Sequence, residues 1–419
     1  MKLIDEKIQG MLCGGIFTIF LAVTLFVGWT SPSYNWDVFA YTGCALSLDN
    51  NSPTYIHEKA YSLGKEVLPA GFYETQTVPM WTESEKFTGL MGDFNKSTAT
   101  NAGSFFQQLP FYFVKPLFII LLFLGYKIGI NPIHSMLLIS SLATLGIAVL
   151  LYRWLLRYIS SVWATIWAIC LLSAVGIQDL VTLTTPDTLS GFFIFLALYL
   201  SVEVRKKNLA YLSLLIATLI RVDNFLPSLM LLSYEQFFSG NRRSWIGFSL
   251  QTLLIAVIPL IVTKYVGSFG LGTLLYYTFI HRLDFPVQFH PGVSLGQYVD
   301  LLVHGIRLKA HSRYVCSFFI LTILTWLIPN DKSRANLRHM FILGQILLVI
   351  RYAMFPMIDT RFLFIYHLAI GIYFVYEFGF LINGYPEFLG KFGTSFRKYA
   401  TTMPSAYGLL YRSKRTLVK

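Results

Sequence analysis

Charge is what this sequence has least of. Only 13% of its 419 residues are Asp, Glu, Lys or Arg, against 55% apolar and 16% aromatic, and the mean hydropathy is +0.58. A soluble domain carries about a quarter charged residues, so a water-soluble enzyme is excluded and a polytopic membrane protein is implied. Cysteine is scarce too. Cys13, Cys44, Cys170 and Cys316 form no CxxC pair, and only Cys44 falls in a plainly polar region, which leaves neither a disulfide framework nor a cysteine metal site. The chain contains no P-loop, no GxSxG and no GxGxxG in a strand-helix context, so cytosolic nucleotide chemistry has no home in it. Internal repeats and low-complexity linkers are also missing. The net charge of +12 does not point to nucleic acid, because the basic residues fall in short clusters between apolar runs and in the C-terminal tail, as membrane topology requires.

What is present is a series of apolar runs. They lie at 11–29, 132–152, 159–177, 187–204, 245–266, 313–329, 338–355 and 362–383, each long enough or nearly so to cross a bilayer. Lys2 and Lys7 precede the first, and Gly28-Trp29-Thr30-Ser31-Pro32 after it offers no small-x-small cleavage site, so it reads as an anchor rather than a removed signal. Two stretches are ambiguous: 111–126, interrupted by Lys115-Pro116, and 208–238, either one long helix or a hairpin turning at Arg221-Val222-Asp223-Asn224. If 111–126 crosses and 208–238 is one span, Arg153, Arg157, Arg205, Lys206 and Lys207 are exported and Lys127 alone stays inside. That reverses the positive-inside bias. A surface position for 111–126 and a hairpin at 208–238 restore it. The expectation is therefore an all-α polytopic domain over residues 1–383 with about ten transmembrane helices, both ends inside, and a basic cytoplasmic tail over 384–419. Arg242, Arg243, Lys332, Arg334 and Arg338 join the tail on the cytoplasmic side.

Exported loops are then expected over about 30–131, 267–312 and 356–361. The polar part of the first, 30–110, holds eight acids and four lysines, with the Gly, Pro, Asn, Ser and Thr content of short surface helices joined by irregular loops. The second departs from the charge bias by carrying Arg282, Arg307 and Lys309 with only Asp284 and Asp300. Excess positive charge on an exported face suits a phosphate partner.

Several residues stand out, each with a plain structural reading beside the functional one. Asp37, within Asn35-Trp36-Asp37-Val38-Phe39-Ala40-Tyr41, is either a helix N-cap among interfacial aromatics or a carboxylate held where one reactant arrives through lipid and the other through water. Arg221 and Asp223 interrupt an apolar stretch, where an ionisable group costs about 2.5–3.5 kcal/mol on insertion scales unless paired or facing water. They are either a mutual ion pair at a tight turn or, for Arg221, a bidentate phosphate grip. Asp187, after Pro186, and Asp359, before Thr360-Arg361, both sit at helix starts and suit capping. Arg361 at the outer end of a span opposes the charge bias, which favours anion binding. Lys115 reads as a snorkelling lysine or a headgroup contact. His281, His290, His304 and His311 lack HxxxH spacing, and Asp49-Asn50-Asn51-Ser52-Pro53 reads as a turn.

The order of these features resembles the C-type (GT-C) membrane glycosyltransferases that use polyprenyl-phosphate-linked sugars. The likeness rests on one span followed by a long exported loop opening on an aromatic-flanked Asp (Trp36 to Tyr41), then a juxtamembrane-like helix (Leu109-Pro110-Phe111 to Leu124). Pro186-Asp187 at an outer helix start, Leu219-Ile220-Arg221 in a hairpin and Asp359 to Phe362 entering a late span complete it, over the chain to about residue 383. The resemblance implies Asp37 as the catalytic carboxylate and Arg221 and Arg361 as donor-phosphate ligands, with Lys115 and Arg282 as further basic contacts. Asp187 matches a second outer-loop acid that helps bind metal in oligosaccharyltransferase relatives. Their paired acids and any WWDYG-like stretch are lacking here, so a monophosphate-lipid donor with no required metal or other cofactor is expected. No large C-terminal exported domain is expected to hold the acceptor.

The implied partners are a polyprenyl-phosphate-sugar donor, a glycan or lipid-linked acceptor and membrane lipid, with no nucleic acid. The implied setting is a bacterial inner membrane with the active site on the exported face. In that chemistry a carboxylate within about 3 Å of a sugar hydroxyl accepts its proton as the new bond forms, fixed cations stabilise the charge growing on the leaving phosphate, and one displacement inverts the anomeric centre. Two other classes also want basic outer cavities. A lipid-glycan flippase or transporter more often shows repeated halves, and an O-antigen polymerase typically places its largest loop mid-chain rather than after the first span.

Overall fold

Long uninterrupted apolar sequence gives long helices, and α1 (Lys2–Thr30) is the first. Its Thr18 and Thr24 hydroxyls donate to the carbonyls of Gly14 and Phe20, each at 2.8 Å, which satisfies polar groups that an apolar setting would penalise. The computed structural model describes residues 2–77, 92–238, 244–289, 291–309, 313–327 and 335–382. His290, His311, Arg242, Arg243, Lys332, Arg334 and the basic tail over 384–419 lie outside the described residues. Among the described residues the chain is helical throughout, with one isolated bridge between Ser33 and Leu183.

After α1 the polar segment folds into the short helices expected of it: α2 (Asp37–Leu46), α3 (Pro53–Val67), α4 (Ala70–Thr77), α5 (Gly92–Thr100), α6 (Ala102–Gln108) and α7 (Pro110–Phe113). Local chemistry sets their starts. The Ser52 hydroxyl accepts from Tyr55 N–H and Pro53 occupies the first turn of α3, while Asn101 caps α6 by accepting from Ser104 N–H at 3.0 Å. The helices share a core with the apolar segments that follow, in which Phe39, Ile56, Phe94, Phe105 and Phe118 are fully buried. Each such side chain contributes about 1.5–3 kcal/mol by leaving water.

Lys115-Pro116 breaks the chain before α8 (Pro116–Lys127), and the 102–113 and 116–127 halves meet at 119°. Both ends of α8 stay beside α2: Lys115 lies over the Tyr41 ring, and Lys127 forms a 2.7 Å ion pair with Asp49. Gly129, at φ 88, closes α8 and turns the chain to Asn131, which caps α9 (Pro132–Leu155).

The bundle follows. α10 (Ser161–Ala174) is continued past Gly176, in the left-handed region at φ 67, by α11 (Ile177–Val181), and α12 (Asp187–Tyr199) runs on through a π turn at Leu200–Val204. α13 (Lys207–Ile220) and α14 (Phe225–Phe237) are two helices rather than one, turning through extended Arg221 and a 3-10 turn at Val222–Asn224. Asn224 Nδ2 donates at 3.1 Å to the Ala217 carbonyl, which also accepts Arg221 N–H at 3.0 Å, and Thr218 and Ser228 hydroxyls pair at 3.2 Å across the arms. Then come α15 (Trp245–Val266), α16 (Gly270–Phe279), α17 (Leu295–Lys309), α18 (Arg313–Leu327), α19 (Ala335–Met354) and α20 (Thr360–Ile382).

By length and composition, four described helices can cross a membrane: Lys7–Thr30 within α1, Pro132–Leu155, Asp187–Val204 and Trp245–Val266. The bent 102–127 pair makes a fifth if counted as one span, and segments 161–174, 207–220 and 341–354 are apolar but shorter. A second core, containing Trp154, Phe195, Phe364 and Leu368, joins these helices. At one end Arg157 pairs with Glu203 at 2.9 Å, and Tyr158 also donates to Glu203. The other end carries the polar helices and every candidate residue described below.

Candidate active site

The site begins where α1 releases the chain. Asp37 is the first residue of α2, but the helix is capped by Trp36 without a side-chain bond, so the carboxylate does not serve as the N-cap. Asn35 takes over locally: its Oδ1 accepts from Asp37 N–H and its Nδ2 donates to Asp37 Oδ2, both at 3.1 Å. Tyr112, at the end of the buried aromatic run of α7, donates its hydroxyl to Asp37 Oδ1 at 2.8 Å. The carboxylate is thus oriented by two neutral donors from different segments.

Aromatic rings wall this position. Tyr112 stands edge-on to Tyr41 at 5.1 Å and lies 6.0 Å from Trp36. The Lys115 ammonium rests over both tyrosines, 5.1 Å from the Tyr41 centroid and 4.9 Å from that of Tyr112, a favourable use of the ring quadrupole. Burial pushes the Tyr112 hydroxyl well above its ordinary range, and the Asp37 charge adds to the effect. Burial, reinforced by Arg221, lowers the Lys115 amine to about 8 against the opposing pull of Asp37 and Asp223.

The hairpin tip meets this wall directly, Val222 N–H donating to Val114 carbonyl oxygen at 3.5 Å. It brings a charged group of matched signs. Arg221 donates from Nε and Nη2 to the two oxygens of Asp223 at 3.0 and 2.7 Å, and its Nη1 pairs with Asp187. Arg351, near the end of α19, donates to Asp223 Oδ2 at 2.5 Å. Burial alone would raise the Asp223 carboxyl, but Arg221 and Arg351 overcome it and hold the group well below the usual carboxylate range. Three guanidinium groups surround one ring: Arg221, Arg351 and Arg361 lie 5.1, 5.0 and 4.7 Å from the Phe362 centroid.

Arg361 is the least committed of the three. Asp359 caps α20 by accepting from Arg361 N–H at 3.1 Å and lies 3.3 Å from Arg361 Nε, which makes no hydrogen bond among the described residues. Arg361 lines a cavity of about 470 Å³ together with Asn35, Asp179, Thr184, Asp359 and His367. One wall of that cavity is the junction of two segments, where Ser33 N–H donates to Thr182 carbonyl oxygen at 3.1 Å. Asn35, which bonds Asp37, is one of the cavity's lining residues.

The structure brings Asp37, Lys115, Arg221, Asp187 and Arg361 to one end of the fold, in two adjoining groups. For Arg221 and Asp223 the plain ion-pair reading holds. Asp187 is not a cap; its Oδ2 accepts from Thr185 Oγ1 at 2.6 Å and its other oxygen meets Arg221. Arg282 stands apart from the arginine group, 5.2 Å over the Phe94 ring, with its charge reaching Tyr112 and Tyr277. Its segment is pinned by Gln108 Nε2, which donates to Leu283 and Asp284 carbonyls at 2.9 and 3.1 Å. Arg351 was missed. Its signal was a single cation ending the run Ile346-Leu347-Leu348-Val349-Ile350, where an unpaired charge is costly. Among the described residues no group of three or more His, Cys, Asp and Glu side chains gathers to hold a metal.

Among the described residues, fold and site together define an all-helical membrane-type protein with four or five helices able to cross a membrane and a charged, aromatic-walled site at one end of them. No known protein family, curated protein or solved structure matches the chain.

Proposed function

We propose that the protein is an integral-membrane glycosyltransferase of the GT-C kind, with about ten spans and its site on the exported face. It moves a sugar from a polyprenyl-phosphate donor to an exported glycan or lipid-linked acceptor. The observation that carries this reading is the setting of Asp37. Its carboxylate is held by Tyr112 and by Asn35, itself a lining residue of the cavity, instead of capping its own helix, and a general base must be held in a fixed orientation of this kind to meet an incoming hydroxyl. The topology draws support from the Lys127–Asp49 pair, which keeps α8 beside the first loop, and from the turn at Arg221–Asn224.

In this mechanism the acceptor hydroxyl gives its proton to Asp37 as its oxygen attacks the anomeric carbon, and the bond to the lipid phosphate oxygen breaks. The released phosphate carries the displaced electron pair. Arg361 meets it in the cavity, and Arg221 and Arg351, whose charges Asp187 and Asp223 balance, hold the Phe362 ring beneath Arg361 so that this cation is preorganised. Lys115 adds a cation on the Asp37 side. One displacement inverts the sugar.

The test is sugar transfer from radiolabelled polyprenyl-phosphate sugars in membranes containing equal amounts of wild type, Asp37→Asn and Arg361→Ala. Loss of nearly all transfer in Asp37→Asn, with the protein still folded, supports the base assignment. Full activity in that variant overturns it. Transbilayer movement of lipid-linked glycan with no sugar transfer by the wild type would replace the enzyme with a flippase.

A further inference from the structure

α17 (Leu295–Lys309) has a face that the fold leaves open. Fifteen residues make a helix about 22 Å long, too short for a bilayer core of about 30 Å. It is fastened on one side to the end of α19: Tyr298 Oη donates to the Ala353 carbonyl, Tyr352 Oη donates to the Leu302 carbonyl, and a side chain at Gly305 would strike the Pro356 carbonyl. Beside that fastening, Leu295, Val299, Val303 and Ile306 are 79%, 49%, 41% and 52% exposed. At about 100° per residue they share a sector roughly 80° wide. The next sector holds Gln297, Asp300, His304 and Arg307, all exposed.

Apolar and polar residues are thus sorted on the open surface itself, and the apolar sector continues the docked one without a polar break. A helix facing water on that side would have no reason to sort them, and one buried against protein would not keep the charged sector. The fastening also fixes depth. It joins α17 to the Arg351 end of α19, next to Phe355, whose ring lies 5.0 Å from Phe279 and 5.6 Å from Phe362. Phe362 is the ring at the centre of the arginine group, so α17 sits level with the place where spans end and charges begin.

We propose that α17 lies flat in the lipid–water interface on the Asp37 side of the membrane, with Leu295, Val299, Val303 and Ile306 among the acyl chains and Asp300, His304 and Arg307 in water. Its partner is the phospholipid surface, engaged as an amphipathic interfacial helix engages it. This inference is independent of the chemistry assigned to Asp37.

The test uses the full chain with exposed Cys170 and Cys316 changed to Ser, carrying one new cysteine in turn at Val299, Asp300, His304 or Ile306. Each is labelled with an environment-sensitive fluorophore and reconstituted in phosphatidylcholine vesicles. Probes at Val299 and Ile306 should lose most of their emission to brominated acyl chains and little to aqueous iodide, and probes at Asp300 and His304 should do the reverse. Iodide quenching at all four positions overturns the proposal. So does protection of Val299 and Ile306 from both quenchers, which would mean that protein covers the face, and so does acyl-chain quenching at all four, which would mean an inserted helix.

Discussion

Tyr112 donates its hydroxyl to Asp37 Oδ1 at 2.8 Å across 75 residues of sequence. The bond closes a loop of structure, because Asp37 opens the first polar helix and Tyr112 stands at the bend that ends the last. An aspartate at a helix start ordinarily spends an oxygen on its own backbone, and here the side chains of Asn35 and Tyr112 hold the two oxygens instead. Removing the hydroxyl with Tyr112→Phe keeps the ring against Tyr41 and Trp36 and deletes only this bond. A lost hydrogen bond to a charged group is worth about 1.5–3 kcal/mol, so we expect transfer to fall at least about tenfold with folded protein levels near wild type. Unchanged transfer would show that Asn35 alone sets the carboxylate.

Arg221 and Arg351 share Asp223 but not Asp187. Arg221→Ala leaves Asp187 without its cation and Asp223 with only its bond from Arg351, whereas Arg351→Ala leaves Asp223 its two bonds to Arg221. Breaking one side of a buried pair costs about 3–5 kcal/mol. The Arg221 variant should therefore lose far more folded protein after a heat step in detergent than the Arg351 variant, read by size-exclusion recovery. Equal losses would mean that the two arginines are not coupled through Asp223.

Lys115 supplies a pH dependence. Burial lowers its amine from the ordinary 10.5 to about 8, with Arg221 adding to the shift. Between those values the unfolded chain holds a proton that the folded chain has released, so stability rises with pH through that window. Below about 8 the cost of the buried ammonium is present in full. Lys115→Met should be more heat-resistant than wild type at pH 7, and the difference should shrink as pH rises from about 8 towards 10.5. A constant difference across the window would remove the titration from the explanation.

Much of this arrangement was legible where chemistry and sequence are adjacent. Asn35, Trp36 and Asp37 are contiguous, and Arg221 and Asp223 betray themselves as charges in an apolar stretch, so both the polar loop and the hairpin turn were expected. The partners were not. Nothing local says that Asp187 reaches Arg221 or that Tyr112 reaches Asp37, because those distances are set by how helices pack. Arg351 was hidden for a different reason: one cation at the end of an apolar run barely moves a hydropathy window. Lys115-Pro116 announced a break in 111–126, but the 119° bend depends on α8 finding α2.

Packing within the bundle offers a final check on how α12 meets α20. A Cβ at Gly191 would overlap the Phe364 ring, which is fully buried. Overpacking of this kind costs about 1–3 kcal/mol. Gly191→Ala should lower the temperature at which half the protein survives heating, and Phe364→Leu should restore part of the loss when combined with it, although Phe364→Leu alone removes core volume. Such non-additivity is expected only of residues in contact. Strictly additive losses would mean that the two helices do not approach at Gly191, and with that the placement of Asp187 and Arg361 at neighbouring helix starts would fail.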